Sequence, residues 1–306
     1  MTKRSSPEEN IHFTGSTSHR KSSWGEKIKH SLEILLGYVF IHLPYRYLGR
    51  FYVRFMAWFL GFVGPLLWVH KRVVDHLNLA LPELCELEKK IIAKQSWQNI
   101  AYIPYDFIMA KYKPQTLKID IIGIEHLHQL QESQKNALFF SGHNACWEIF
   151  RIAAHQHHIN SAIIYRPFNN ALFDHYARNL MDHGFAPIFQ KNPAGIRKML
   201  KHLRGDNQHI LMLTDQRLSG GISVPFFNHP ALTAPSAAEL AMRYKMPLMP
   251  IFVTRIDIGH YKIIIHPAIE TQNQTLDTVL TDMNKHIENH IRHYPSQWFW
   301  LHRRWK

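Results

Sequence analysis

Cysteine is almost absent: 306 residues contain two, Cys85 and Cys146. They lie far apart and neither belongs to a Cys-x-x-Cys, so no disulfide framework is implied and a reducing compartment is expected. The 23 histidines have no companion cysteines and no His-Glu-x-x-His spacing, which argues against a metal centre. Helix-turn-helix, zinc-finger and RNA-binding signatures are missing, so nucleic acid has no recognisable reader here. No uncharged apolar run reaches the roughly 18–20 residues of a membrane-spanning helix. The apolar region also starts too late, and lacks the small-residue cleavage site, for a secretory signal to be expected. Repeats are not evident. Acidic side chains are scarce beside basic ones, 23 against 36, for a net charge of +13. Such a balance points to anionic partners: anionic lipid, an acidic protein or nucleic acid.

What is present divides into three parts. Residues 1–23 are polar, rich in Ser and Thr and mildly basic, and read as a disordered tail. Residues 24–70 read as a membrane-associated helical segment. The runs Ile34 to Tyr45 and Phe55 to Val69 carry no Asp, Glu, Lys or Arg. Between them Arg46, Arg50 and Arg54 recur every four residues among Tyr47, Leu48, Phe51, Tyr52 and Phe55, the pattern of a helix lying in a membrane interface. The competing reading is a core hairpin with solvated arginines. Eight tryptophans and the basic excess suit a lipid surface. From about residue 119 the chain alternates strand-length apolar runs with helical patterns, which predicts one α/β domain over 71–306. Helix is expected over 73–111, with a start at Pro82-Glu83 and a buried face through Leu77, Leu87, Ile91, Ile92 and Trp97.

Chemistry is concentrated at three expected strand ends. The apolar run Asn136 to Phe140 leads into Ser141-Gly142-His143-Asn144-Ala145-Cys146-Trp147-Glu148, and a helical pattern follows. His143 then occupies a strand-to-helix turn. Glu148, in the first helical turn, is placed to reach one imidazole nitrogen, fix the tautomer and leave the other nitrogen as a general base. A polar helix cap is the plainer reading of the same residues. Ser161 to Pro167 ends a strand at Arg166, whose guanidinium could grip a phosphate or merely form a surface ion pair. His209 to Thr214 opens into Asp215-Gln216-Arg217, in which Asp215 either serves the site or satisfies loop amides.

Together these residues resemble the glycerolipid and lysophospholipid acyltransferase superfamily with its H-x4-D/E motif, and more narrowly the lipid A late acyltransferases. The resemblance rests on five segments in family order: His143–Glu148; Tyr165-Arg166-Pro167 with Asn169-Asn170; Thr214-Asp215-Gln216; Gly221–Phe227 with Ala231 and Thr233; and Gln297–Lys306, ending Trp300-Leu301-His302-Arg303-Arg304-Trp305-Lys306. It implies a glycerol-3-phosphate-acyltransferase-like α/β domain with a central mixed sheet flanked by helices. It implies acyl transfer from acyl carrier protein to a hydroxyl of a lipid A precursor at the cytoplasmic side of a bacterial inner membrane, without metal or bound cofactor. His143 and Glu148 would be catalytic. Arg166 and Arg217 would hold phosphate or the carrier's phosphopantetheine, and Asp215 and Gln216 would shape the site. Where the family usually has Gly and Asn, this chain has Ala145 and Cys146, and Asn228 stands where Gly is common. A different lipid acceptor, a Cys146 nucleophile and a non-catalytic membrane-surface protein are the competing expectations.

Overall fold

A computed structural model describes residues 24–305; the expected tail, residues 1–23, lies outside them. The chain begins with helix α1 (Trp24–Gly37), a π-helical turn (Tyr38–His42), α2 (Leu43–Tyr47) and α3 (Gly49–Val63). Then α4 (His70–Ala80) leads to α5 (Glu86–Tyr112), the longest helix described. Small residues decide how α3 packs. Val53, Ala57, Gly61 and Gly64 are buried on one stripe, and a Cβ at Gly64 would come within 2.2 Å of the Trp97 ring of α5. The opposite stripe is bare: Phe51 is 87% exposed, Trp58 62% and Phe62 64%.

Three expectations for this region change. The arginines do not form one stripe, because Gly49, at φ +57°, breaks the helix between α2 and α3. Arg46 lies over the Tyr112 ring at 4.0 Å, and Arg50 donates to the Ile258 carbonyl at 2.8 Å, so both fasten the hairpin to the body. Helix α5 starts at Glu86, capped by Cys85 and Glu88, rather than at Pro82-Glu83. Leu87 and Ile91 are exposed, since the buried stripe runs through Ile92, Ala93, Ser96, Trp97 and Asn99. Among the described residues no single helix is long and apolar enough to cross a membrane; only the pair Gly49–Leu66 and His70–Ala80, bent by 87°, passes together.

The α/β part contains β1 (Lys118–Ile122), α6 (Ile124–Ser133), β2 (Ala137–Ser141), α7 (Glu148–Gln156), β3 (Ser161–Tyr165), α8 (Ala171–Met181), β4 (Ile188–Gln190), α9 (Pro193–His202) and β5 (His209–Leu213). A hairpin, β6 (Ile222–Phe226) and β7 (His229–Thr233), stands apart; α10 (Ser236–Tyr244), β8 (Leu248–Asp257), β9 (His260–Ile265) and α11 (Leu276–His293) complete the chain. The seven-stranded sheet has the order β1-β9-β8-β2-β5-β3-β4, with only β8 and β9 antiparallel. The expected mixed sheet flanked by helices is therefore present.

Central strand β2 is buried at every position, as a strand covered on both faces must be. Side-chain alternation sends Leu138 and Phe140 into the core with α10 and α11, and Ala137 and Phe139 into the core with α6 and α7. Because β2, β5, β3 and β4 run parallel, their C-terminal ends share one edge. Ligands bind at that edge in open α/β sheets.

Candidate active site

Strands β2 and β5 pair with Ser141 opposite Leu213, and the ladder continues as Thr214 N–H donates to the Ser141 carbonyl at 3.0 Å. Two residues beyond each strand, the same register brings His143 opposite Asp215. The His143 backbone N–H donates to Asp215 Oδ2 at 2.8 Å, and Nδ1 lies 2.6 Å from Oδ1. Gly142 is needed here, since a Cβ would meet the Asn144 side chain at 2.6 Å and Asp215 at 3.2 Å.

Asp215 is 2% exposed. Burial alone would raise its pKa. The His143 charge, the two hydrogen bonds from His143 and an indole N–H from Trp298 at 2.7 Å outweigh that and hold it at about 2. An ionised carboxylate can only accept, so His143 Nδ1 carries the proton. Nε2 is then left with its lone pair outward, where the Gln216 side-chain nitrogen sits 3.2 Å away. Trp147 packs edge-on against the imidazole, with ring centroids 5.3 Å apart.

Glu148 is not part of this pair, contrary to expectation. It begins α7 fully buried and accepts from Arg151 Nη1 at 2.7 Å and from His183 Nε2 at 3.1 Å. Glu148 and Arg151 lie three apart on one helical face, and that face looks toward the end of α8, where Arg151 also donates to the Met181 carbonyl. A buried guanidinium without a carboxylate is strongly destabilising, so Arg151 claims Glu148. Cys146 is fully buried, and burial with the nearby Asp106 and Glu148 charges pushes its thiol well above the ordinary range. A buried, protonated thiol makes a poor nucleophile.

Gln216 thus joins His143 and Asp215, and Arg217 follows directly. Arg217 is half-buried with an unpartnered Nε, and its backbone N–H donates to His302 Nε2 at 3.1 Å. Burial lowers the His302 pKa to about 4, which keeps that ring neutral and able to accept. Arg166 is exposed at the end of β3, on the same edge but two strands from β2. No group of three or more His, Cys, Asp or Glu among the described residues could hold a metal ion.

Several residues at the site carry no signal in the sequence beyond membership of a motif. The C-terminal strap, residues 297–305, closes the site from behind. Trp298 bridges to Asn144 in addition to holding Asp215. The Gln297 carbonyl accepts the Ala145 N–H at 3.3 Å, and its side chain bonds both the N–H and the carbonyl of Arg255. Arg304, fully buried, donates to the Leu232 carbonyl and the Thr233 hydroxyl, each at 2.7 Å, tying down the hairpin. Asn144 is 1% exposed, and neither atom of its amide has a partner among the described residues.

A carboxylate-oriented imidazole at a parallel strand edge could take a proton from a hydroxyl; comparison with known proteins gives the family. The family model for bacterial lipid A biosynthesis acyltransferases matches residues 19–306. The chain belongs to the bacterial lipid A biosynthesis acyltransferase family. A lipid A biosynthesis acyltransferase of Haemophilus influenzae is 23% identical over 274 residues, covering 83% of this chain and 85% of that protein. The lipid A biosynthesis lauroyltransferase of Escherichia coli is 26% identical, covering 77% and 78%. The palmitoleoyltransferase of the same organism is 24% identical, covering 76% of each. Among solved structures, the 1-acyl-sn-glycerophosphate acyltransferase PlsC of Thermotoga maritima aligns at a TM-score of 0.38 with 11% identity, over 75% of this chain and 96% of that one, a likeness too loose to support an argument. As a family member the protein is an acyltransferase of lipid A biosynthesis.

Proposed function

We propose that this acyltransferase moves a fatty acyl chain from the thioester of acyl carrier protein to a hydroxyl of the lipid A precursor, with His143 as the general base and Asp215 as the residue that orients it. The 2.6 Å contact between His143 Nδ1 and an Asp215 carboxylate whose pKa is held at about 2 carries the reading. The acceptor hydroxyl would displace Gln216 from Nε2 and give up its proton there while its oxygen attacks the thioester carbon. The tetrahedral oxyanion collapses, the C–S bond breaks, and the departing thiolate takes the proton from the imidazolium. Arg217 and the unpartnered Asn144 amide are the candidates for facing the oxyanion. Arg166 is the candidate for a substrate phosphate. The chemistry as written needs no metal or bound cofactor.

The uncovered aromatic stripe of α3, continued past its end by Leu66, 75% exposed, and Trp68, 80% exposed, supports seating the hairpin in the cytoplasmic interface of the inner membrane, where the acceptor lipid would reside. The net charge of +13 suits both an acidic carrier and anionic lipid.

The test is mass spectrometry of lipid A from cells lacking the gene and complemented with wild type or His143→Ala. The expected result is loss of one acyl mass on deletion, restored by wild type and not by the variant. A shift in another lipid class with lipid A unchanged would move the acceptor. Full complementation by His143→Ala would remove the base.

A further inference from the structure

One and two strands from Asp215 along the same sheet edge, the structure collects positive charge that nothing in the described chain neutralises. Strands β3 and β4 are parallel, with Tyr165 opposite Gln190. The next residue on each is a cation, Arg166 on β3 and Lys191 on β4, and the Lys191 N–H donates to the Tyr165 carbonyl at 2.7 Å. The two side chains therefore leave neighbouring strands at the same height. No carboxylate among the described residues lies within ion-pair distance of either.

The acid that α8 brings to this corner, Asp174, is hydrogen-bonded by neutral donors. It accepts from the Tyr165 hydroxyl at 3.0 Å, the Phe168 N–H at 2.9 Å and the Gln190 amide at 3.3 Å. Lys191 is half-buried beside another cation, and burial together with the Arg166 charge holds its ammonium below the ordinary range. Helix α9 starts two residues later, and its N-terminal dipole adds potential of the same sign. A folded chain tolerates paired, partly desolvated cations poorly, and a bound anion would relieve the repulsion. Two adjacent donors of this kind match the oxygens of one phosphate group.

We propose that Arg166 and Lys191 form a phosphate cradle that anchors a phosphorylated substrate at a fixed distance from His143. Strands lie ~4.8 Å apart. Arg166 and Lys191 thus stand about 5 and 10 Å along the edge from the strand that carries Asp215, and about 10 and 14 Å from the end of β2. That separation suits a substrate whose phosphate and reacting atom are joined by several bonds. Both a sugar phosphate of the acceptor and the phosphopantetheine arm of the donor have that shape. Treating the occupant as a transferase substrate rests on the reading proposed above; the anion site itself does not.

Titration calorimetry on the full-length protein in detergent, with glucosamine 1-phosphate and 4′-phosphopantetheine as separate probes, tests the cradle and names its source. One probe should bind wild type, and Lys191→Met and Arg166→Met should each weaken it about tenfold or more. Lys191→Arg, which keeps the cation, should retain it. In acyl-transfer assays Lys191→Met should raise KM for the matching substrate about tenfold with kcat within about twofold, because the cradle holds ground and transition state alike. The cradle is overturned if neither probe binds wild type, or if Lys191→Met binds as wild type does. Absence of acyl transfer by wild type alongside intact, Lys191-dependent binding would instead overturn the acyl-transfer reading and leave the cradle standing.

Discussion

Asp215 and Glu148 are two buried carboxylates on either side of one loop, and each contacts a histidine. What differs is the third partner. Among the described residues Asp215 is hydrogen-bonded by the His143 backbone and ring and by the Trp298 indole, and by no guanidinium. Its charge is therefore directed at the imidazole, and His143 keeps 22% of its side-chain surface accessible. Glu148 has Arg151 at 2.7 Å with both side chains at 0% exposure, and its second oxygen has no partner among the described residues. Its charge is spent on the guanidinium, and the histidine it touches, His183, is 8% accessible at the side chain. A carboxylate–imidazole contact can orient a base where no guanidinium hydrogen-bonds the carboxylate and the imidazole stays accessible.

Breaking the two pairs separately should give opposite signatures. Asp215→Asn removes the charge that fixes the tautomer and should lower kcat by about 10³-fold or more, with a modest change in melting temperature. Glu148→Gln leaves Arg151 as an uncompensated buried charge, at a cost of about 3–5 kcal/mol. Its melting temperature should fall by roughly 10 °C, while kcat per folded molecule stays within about tenfold of wild type. Steady-state kinetics and thermal melts on both variants decide the matter. Inactive Glu148→Gln with an unchanged melt, beside active Asp215→Asn, would exchange the two roles.

A smaller perturbation sharpens the same contrast. Trp298→Phe keeps the ring packing and deletes one donor to Asp215. Loss of a hydrogen bond to a charged group is worth about 1.5–3 kcal/mol, so a fall in kcat of about tenfold or somewhat more is expected. Acid stability supplies a second readout. Asp215, held at about 2 in the fold, lies below its ordinary value, so its contribution to stability is full above roughly pH 4 and fades as pH drops toward 2. Without the indole N–H the folded value moves back up, and the acid-unfolding midpoint should shift to higher pH. An unchanged acid midpoint together with unchanged kcat would reduce Trp298 to packing.

The contrast between the two acids also marks what could be read from the chain. The apolar run ahead of His143 and the helical pattern after it specify a strand, a turn and a helix, and α11 follows its 3.6-residue period closely. Glu148 is near His143 in sequence, whereas Asp215 is near only through a parallel pairing of β2 with β5, which no local pattern encodes. Strand β4 was missed because three residues leave too short a run. The β6–β7 hairpin was missed because Pro225 and Pro230 pair across it, and proline ordinarily argues against a strand. Spacing by four among Arg46, Arg50 and Arg54 was misleading because Gly49 ends one helix and starts another in a left-handed conformation.

Ala145 offers the mildest test of the same loop. It sits at φ +42°, in the left-handed region where a Cβ crowds the backbone by about 1–2 kcal/mol. The strap enforces this conformation: the Ala145 N–H is held by the Gln297 carbonyl, and Asn144 before it is bridged to Trp298. Relief of the Cβ strain in Ala145→Gly opposes the extra freedom glycine gives the unfolded chain, roughly 0.4–1 kcal/mol. Strain is the larger of the two, so the variant should melt a few degrees higher with kcat within about twofold of wild type. A lower melting temperature would mean that the alanine methyl contributes packing in the core beside Ile149 and Phe150 that outweighs the strain, and that the loop carrying His143 is held by its core side more than by the strap.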